Sequence, residues 1–411
     1  MKKLISLVMV LAMCVFLLAG CGQSEEPAAS DSPSEAPSEV SAEPAGDETD
    51  AEGASFMIGG VGPLTGDNAI YGTAVMNGVQ IAVDEINAAG GINGYQISYR
   101  FEDDVSDGES SVNAYNTLMD WGMQLLVGPV TTGPAISVSA EVYNDRVFAL
   151  TPSASSPDVT AGKDNMFQMC FTDPNQGSGA ATYMGSNMAG SKVAIIYRND
   201  DAYSQGIRDT FVAEAANQDL EIVYEGTFTA DTQADFSVQL TAAQSAGADV
   251  VFLPIYYQPA SVILSQANAM GYAPTFFGVD GMDGILTMPN FDLSLAEGVM
   301  VLTPFSADAT DEKTVNFVAE YNERFGETPN QFAADGYDCV YALKQALEAA
   351  GCTPDMSTED ICTAMIEQFT TMTFDGLTGT GMTWTSGGEV SKMPLAVVIQ
   401  DGVYVSAENA G

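Results

Sequence analysis

The side chains most often used for catalysis are thinly supplied here. The 411-residue chain contains no histidine. That excludes His-based general acid/base catalysis, Ser-His or Cys-His nucleophile activation, and histidine metal sites. An enzyme would have to work with carboxylates, Lys or Tyr, and a hydrolase using a carboxylate pair stays open. Cys170, Cys339, Cys352 and Cys362 show no Cys-x-x-Cys spacing of a zinc knuckle or redox motif. The acidic runs Glu102-Asp103-Asp104 and Asn199-Asp200-Asp201 lack the EF-hand spacing and read as solvated turns at strand ends. Gly60-Val61-Gly62-Pro63-Leu64-Thr65-Gly66 stands where a dinucleotide loop would stand. Its spacing is GxGxxxG, Pro63 has no N–H for a pyrophosphate, and no basic residue lies nearby, so it reads as a tight turn. No cofactor and no metal are expected. A formal net charge of −43 repels phosphate backbones, which excludes nucleic-acid partners.

Any site must therefore be positioned by the fold rather than announced by a catalytic motif. From Phe56 onward, strand-like and helix-like segments alternate. Phe56–Val61, Gln96–Phe101, Gln124–Val127 and Val147–Leu150 read as strands. Tyr71–Ala89, Ser110–Trp121 and a short stretch after Gly133 read as helices between them. The pattern repeats with strands at Lys192–Tyr197, Glu221–Phe228, Asp249–Leu253 and Thr275–Val279. Helices are expected near Ser204–Asn217, Asp235–Ala246 and Pro259–Met270. A mostly helical block, Ala309–Phe369, precedes the final strands Met393–Ile399 and Val403–Val405. Alternation of this kind predicts an α/β chain of two doubly wound parallel-sheet lobes joined by several crossings. Ligands of open α/β sheets bind outside the carboxyl ends of the strands, so facing lobes would share one cleft.

The start of the chain speaks to the compartment. Lys2 and Lys3 precede an apolar run, Leu4–Leu18, that is short for a bilayer span and ends in Leu18-Ala19-Gly20-Cys21. This resembles the lipobox of bacterial lipoproteins, and implies a signal peptide over residues 1–20 and a lipid on Cys21. Residues 21–54 are rich in Ser, Ala, Pro, Glu and Asp without an aromatic side chain, and read as an acidic tether. The expected location is extracytoplasmic, anchored to the cell membrane.

A series of short motifs then carries a family resemblance. Gly62-Pro63-Leu64-Thr65-Gly66 with Tyr71-Gly72, and Ile86-Asn87-Ala88-Ala89-Gly90-Gly91-Ile92-Asn93-Gly94, open it. Thr151-Pro152-Ser153-Ala154-Ser155-Ser156-Pro157, Asp173-Pro174-Asn175-Gln176-Gly177 and Tyr203-Ser204-Gln205-Gly206 follow, and Phe374-Asp375-Gly376-Leu377-Thr378-Gly379 closes it. In this order they resemble the leucine/isoleucine/valine-binding proteins of bacterial ABC importers, across nearly the whole folded part. The resemblance implies a type I periplasmic-binding-protein fold with a three-stranded hinge. It places lobe 1 at 55–173 plus 304–377 and lobe 2 at 174–303 plus 378–411.

Carried over residue by residue, it implies a zwitterion site. Ser153, Ala154 and Ser155 would meet an α-carboxylate, with Thr132 adding a donor at the positive end of a helix. Asp280 would accept the α-ammonium, while Tyr71, Tyr203, Tyr257 and Phe332 would line the side-chain pocket. The sequence departs from the family at Ser106 and Thr131, where a disulfide usually stands, and at Asp280, where Glu is usual. The loop after Val130 is also shorter. Separately, Gly351 as a helix end, Pro354 as a stop and Ser357 or Thr358 as the next cap suggest two helices turning back, which would let Cys352 bridge Cys362.

The reading is a monomeric binding protein that delivers an aliphatic or aromatic amino acid to an ABC permease. An amide, urea or aromatic acid is the alternative ligand class. A ligand-sensing receptor module is the alternative role, and would call for a downstream signalling segment.

Overall fold

The computed structural model describes residues 54–407. The expected signal peptide, Cys21 and the expected tether up to residue 53 lie outside the described residues. The first sheet has 5 strands in the order β2-β1-β3-β4-β5. They are β1 (Phe56–Gly62), β2 (Ile97–Asp103), β3 (Leu125–Val127), β4 (Phe148–Thr151) and β5 (Met166–Gln168). All pair in parallel. Helices α1 (Ala69–Ala88), α2 (Gly108–Trp121) and α3 (Thr132–Asp145) make its crossovers.

The second sheet has 7 strands in the order β12-β11-β10-β9-β8-β6-β7. They are β6 (Ser191–Arg198), β7 (Leu220–Phe228), β8 (Val250–Leu253), β9 (Thr275–Gly278), β10 (Met300–Thr303), β11 (Leu395–Gln400) and β12 (Val403–Ser406). Only the pairings of β11 with β10 and β12 are antiparallel. Helices α4 (Asp173–Asn187), α5 (Ala202–Ala215), α6 (Ser237–Ala246) and α7 (Tyr257–Met270) belong to this sheet. The late helices α8 (Glu312–Phe325), α9 (Gln331–Ala350) and α10 (Thr358–Phe369) return to the first, with α9 packed on α1 and α10 on β4. The chain thus passes between the sheets at 169–172, 304–311 and 370–394.

Strand residues alternate between faces as the pleat requires. Phe148 and Leu150 of β4 enter one core and Ala149 enters the opposite one. In the second sheet Val251 and Leu253 of β8 divide from Val250 and Phe252 in the same way. Apolar surface on both faces needs helices on both faces, which is the doubly wound arrangement. The α1–α9 packing depends on small residues. A Cβ on Gly78 would lie 1.9 Å from the Ala333 carbonyl oxygen, so only glycine allows the helices to approach so closely.

Some elements carry no signal in the sequence alternation: β5, α4 and β10. The first is only 3 residues long. α4, DPNQGSGAATYMGSN, holds three glycines and little amphipathic contrast, so neither propensity nor pattern marks it. The expected Cys352–Cys362 bridge is absent, and both are free, buried thiols. Cys352 ends α9, where its N–H bonds the Leu347 carbonyl and its carbonyl accepts from Asn93. Cys362 lies one turn into α10, beside Arg146 and Asn165. The return of the chain therefore packs the two thiols against different neighbours.

Candidate functional site

The carboxyl ends of both sheets converge on a narrow, nearly filled cavity of about 10 Å³. Its walls are Tyr71, Val130, Thr131, Ser153, Tyr203, Tyr256, Asp280, Gly281 and Phe332. Topology explains the convergence. Val130 and Thr131 follow β3, and Ser153 follows β4. On the other side Tyr203 opens α5 after β6, Tyr256 follows β8, and Asp280 follows β9. These are the loop positions at which an open parallel sheet presents its ligands.

Of the residues expected from the sequence, the structure brings Tyr71, Ser153, Tyr203, Asp280 and Phe332 onto the wall. Thr132, Ala154, Ser155 and Tyr257 sit behind it. Tyr257 packs edge-on against Tyr71, with centroids 5.1 Å apart, and its N–H donates to the Tyr71 hydroxyl at 3.2 Å. Its neighbour Tyr256 takes the wall position, stacked on Tyr203 at 4.8 Å. The sequence offers two adjacent tyrosines here. Which one faces inward depends on where α7 begins, and Tyr256 is the extended residue just before it.

The second-sheet end of the cavity is anionic. Asp280 is 3% exposed. The Tyr203 hydroxyl donates to its Oδ1 at 2.5 Å and also accepts the Gly281 N–H at 2.9 Å. Burial pushes the Asp280 carboxyl up to about 7, against the pull of the hydrogen bond from Tyr203. Among the described residues no ion pair includes Asp280. The Tyr71 hydroxyl, from α1, donates to the Gly281 carbonyl and so ties the two sides of the cavity together.

The first-sheet end is a field of neutral donors. Helix α3 starts at Thr132 without a side-chain cap, and Pro134 lacks an N–H. Its unpaired leading donors are therefore the N–H groups of Thr132 and Gly133, at the positive end of the helix dipole. The Thr132 hydroxyl is buried and has no partner among the described residues. Other hydroxyls are engaged: Ser153 Oγ donates to the Val130 carbonyl at 2.6 Å, and Ser155 Oγ donates to Asp173 Oδ1 at 2.7 Å. The Ala154 N–H bonds Thr151 Oγ1 at 3.0 Å. Ser106 and Thr131 hydrogen-bond through their hydroxyls at 2.8 Å, where the resembled family carries a disulfide.

A cavity with a buried anion at one end and backbone donors at the other is built to hold two opposite charges. The family model for periplasmic binding proteins matches residues 55–402. The chain belongs to the periplasmic binding proteins. This periplasmic binding protein is 32% identical over 304 residues to Leu/Ile/Val-binding protein homolog 3 of Brucella melitensis, 74% of this chain and 81% of that one. It is also 32% identical over 314 residues to a Leu/Ile/Val-binding protein of Rhizobium johnstonii, 76% of this chain and 83% of that one. Among solved structures it matches LivJ from Streptococcus pneumoniae in complex with isoleucine, with a TM-score of 0.77 and 28% identity. That match covers 86% of this chain and 98% of LivJ. A solute-binding protein from R. palustris in complex with benzoate matches with a TM-score of 0.76 at 18% identity, covering 86% and 95%, which is a likeness of fold alone. The relatives are solute-binding proteins, not enzymes, and their fold is the type I fold expected from the sequence. Among the described residues no helix is long and apolar enough to cross a membrane.

Proposed function

We propose that this protein captures an α-amino acid outside the cytoplasm and delivers it to the permease of an ABC importer, acting as a monomer held to the membrane by lipid on Cys21. Two lobes, 55–173 with 304–377 and 174–303 with 378–411, would close on the ligand by bending at the crossings between the sheets. The observation that carries the reading is Asp280, a buried carboxyl facing the cavity and lacking a cation of its own. A charge removed from water calls for a partner, and an α-ammonium supplies one. The α3 N-terminus, with its unpaired donors, suits the carboxylate of the same molecule. Tyr71, Tyr203, Tyr256 and Phe332 form an aromatic wall that fits an aliphatic or aromatic side chain, and the names of the relatives favour the branched-chain members of that class.

An aromatic acid is less well matched, because a ligand without an ammonium leaves Asp280 facing a second anion or forces it to stay protonated. Calorimetry with leucine and with isocaproate, its deaminated analogue, tests the reading. Leucine is expected to bind the tighter by about 2–5 kcal/mol, the range for a buried charge pair that loses one partner. Equal binding of the two would show that Asp280 does not hold an ammonium.

A further inference from the structure

The motif Asp173-Pro174-Asn175-Gln176-Gly177 takes no part in the cavity wall, yet it joins the two ends of the clamp. It forms the first turn of α4, directly after the crossing at 169–172. The Asp173 N–H donates to the Ser155 carbonyl at 3.0 Å, and Asp173 Oδ1 accepts from Ser155 Oγ at 2.7 Å. One turn further, Gln176 Nε2 reaches the same Ser155 Oγ at 3.5 Å. The other end of that amide, Oε1, accepts the backbone N–H of Asp280 at 3.2 Å. An N–H can only donate, so the orientation of the amide is fixed by its partner. Ser155, Asp173 and Gln176 are all fully buried. Ser155 belongs to the turn after β4 that brings Ser153 onto the cavity wall at the first-sheet end, and Asp280 is the proposed ammonium acceptor on the other sheet. A single side chain therefore spans from one to the other.

We infer that Gln176 sets the distance between the two ends of the clamp, and through it the preference for an amine on the α rather than the β carbon. The inference rests on the amino-acid reading above. Gln176 itself touches no ligand and is a positioning residue. Its leverage comes from geometry. Moving an amine from the α to the β carbon lengthens the gap between the two charges by part of a bond, and buried hydrogen bonds tolerate little misplacement. A clamp whose span is fixed rejects the longer isomer, because one of its buried groups is then left without a partner. Once the Gln176 bridge is gone, the Asp280 loop keeps the Tyr203 and Tyr71 hydroxyls and Gln331 Nε2, which donates to the Asp280 carbonyl at 3.3 Å, but among the described residues no side chain then links it to the Ser155 turn.

The test is the ratio of Kd values for leucine and its isomer β-leucine, measured by calorimetry on the full chain. Wild type is expected to favour leucine by about tenfold or more. Gln176→Met keeps length and volume but removes both hydrogen bonds, and Gln176→Asn keeps the amide but shortens its reach. Each is expected to bring the ratio down to about threefold or less, while thermal melts report whether the variant has folded. Having two variants keeps the test alive should one fail to fold. A general loss of stability lowers both affinities together and leaves the ratio unmoved, so the ratio separates positioning from scaffolding. A folded variant that keeps the wild-type ratio, or a wild type that takes both isomers equally, overturns the inference alone. A wild type that binds neither isomer overturns the amino-acid reading and this inference with it.

Discussion

Asp280 and Asp335 are both carboxyl groups removed from water, 3% and 1% exposed, and burial pushes both above the ordinary carboxylate range, to about 7 and about 6. Their surroundings differ. Asp335, on α9, faces Lys392 Nζ at 2.8 Å, and the same ammonium donates to Thr378 Oγ1. Thr378 in turn donates to Asp338, which also accepts the N–H groups of Leu377 and Thr378. The result is a closed network that pins the 370–394 crossing to α9. Asp280 has hydrogen-bond donors but no cation. One charge is completed inside the chain, and the other is left for something that enters the cavity. Burial alone does not distinguish a structural carboxylate from a binding one, and the raised pKa values do not either. What separates these two is an internal counter-charge on Asp335 and, for Asp280, a place on the cavity wall without one; Asp173, equally buried and without an ion pair among the described residues, lies off that wall.

The comparison breaks most visibly at Lys392. Lys392→Met leaves Asp335 and Asp338 buried with no cation, and should destabilise the protein by about 3–5 kcal/mol in urea unfolding. Replacing both partners, Lys392→Met with Asp335→Leu, should recover much of that loss, because a buried pair gives little net stability over an apolar replacement. A double variant as unstable as the single one would mean the network contributes more than charge neutralisation.

Asp280→Ala should behave in the opposite way. Affinity for leucine is expected to fall by about 2–5 kcal/mol, while the unliganded protein should hold or gain stability because an uncompensated buried group has gone. Loss of stability comparable to that of Lys392→Met would place Asp280 with the structural carboxylates.

The architecture was largely legible in the sequence, and the pairings within it were not. Strands such as Asp249–Leu253 and helices such as Pro259–Met270 show in the hydrophobic pattern to within a few residues, because burial on both faces of a parallel sheet imprints it. Asp280 stood out as an acid after an apolar strand, within a resemblance that located it. Lys392 gave no such sign, since its partner lies 57 residues away and depends on how the last crossing packs. Gln176 lay inside a recognised motif whose function only the fold reveals. The choice between Tyr256 and Tyr257 turned on one residue at a helix start, where sequence pattern is least informative.

Protonation gives a further way to sharpen the contrast. The Asp280 carboxyl shifts from an ordinary value of 3.8 to about 7 in the folded protein. Between those values the folded state holds more protons than the unfolded one, so this group's contribution to unliganded stability declines as pH rises from about 4 to about 7. Ligand binding runs the other way. An ammonium favours the carboxylate, so binding below about pH 7 must expel a proton. Affinity for leucine should fall by up to about tenfold for each pH unit below that point. Asp280→Ala should flatten the profile. A profile equally steep in wild type and variant would assign the titration to another group.

The smallest expected effect concerns the neutral counterpart of Asp280 at the other end of the cavity. Thr132 is 1% exposed, and its buried hydroxyl has no hydrogen-bond partner among the described residues. Like Asp280 it is a polar group left open, but it carries no charge, so less depends on it. Thr132→Val keeps the shape and removes the hydroxyl. An unsatisfied buried hydroxyl destabilises by about 1–3 kcal/mol, so the unliganded variant should be as stable as wild type or slightly more so. If the hydroxyl donates to the ligand carboxylate in the closed form, the affinity should drop by about 1 kcal/mol. That loss should be the same for leucine and isocaproate, because both keep the carboxylate, whereas Asp280→Ala should penalise leucine alone. Thr132 sits behind Thr131 on the cavity wall, so contact requires closure to turn the start of α3 inward. An affinity unchanged by Thr132→Val would leave the backbone N–H groups of Thr132 and Gly133 as the carboxylate's donors at that end of α3, with the dipole of the helix behind them.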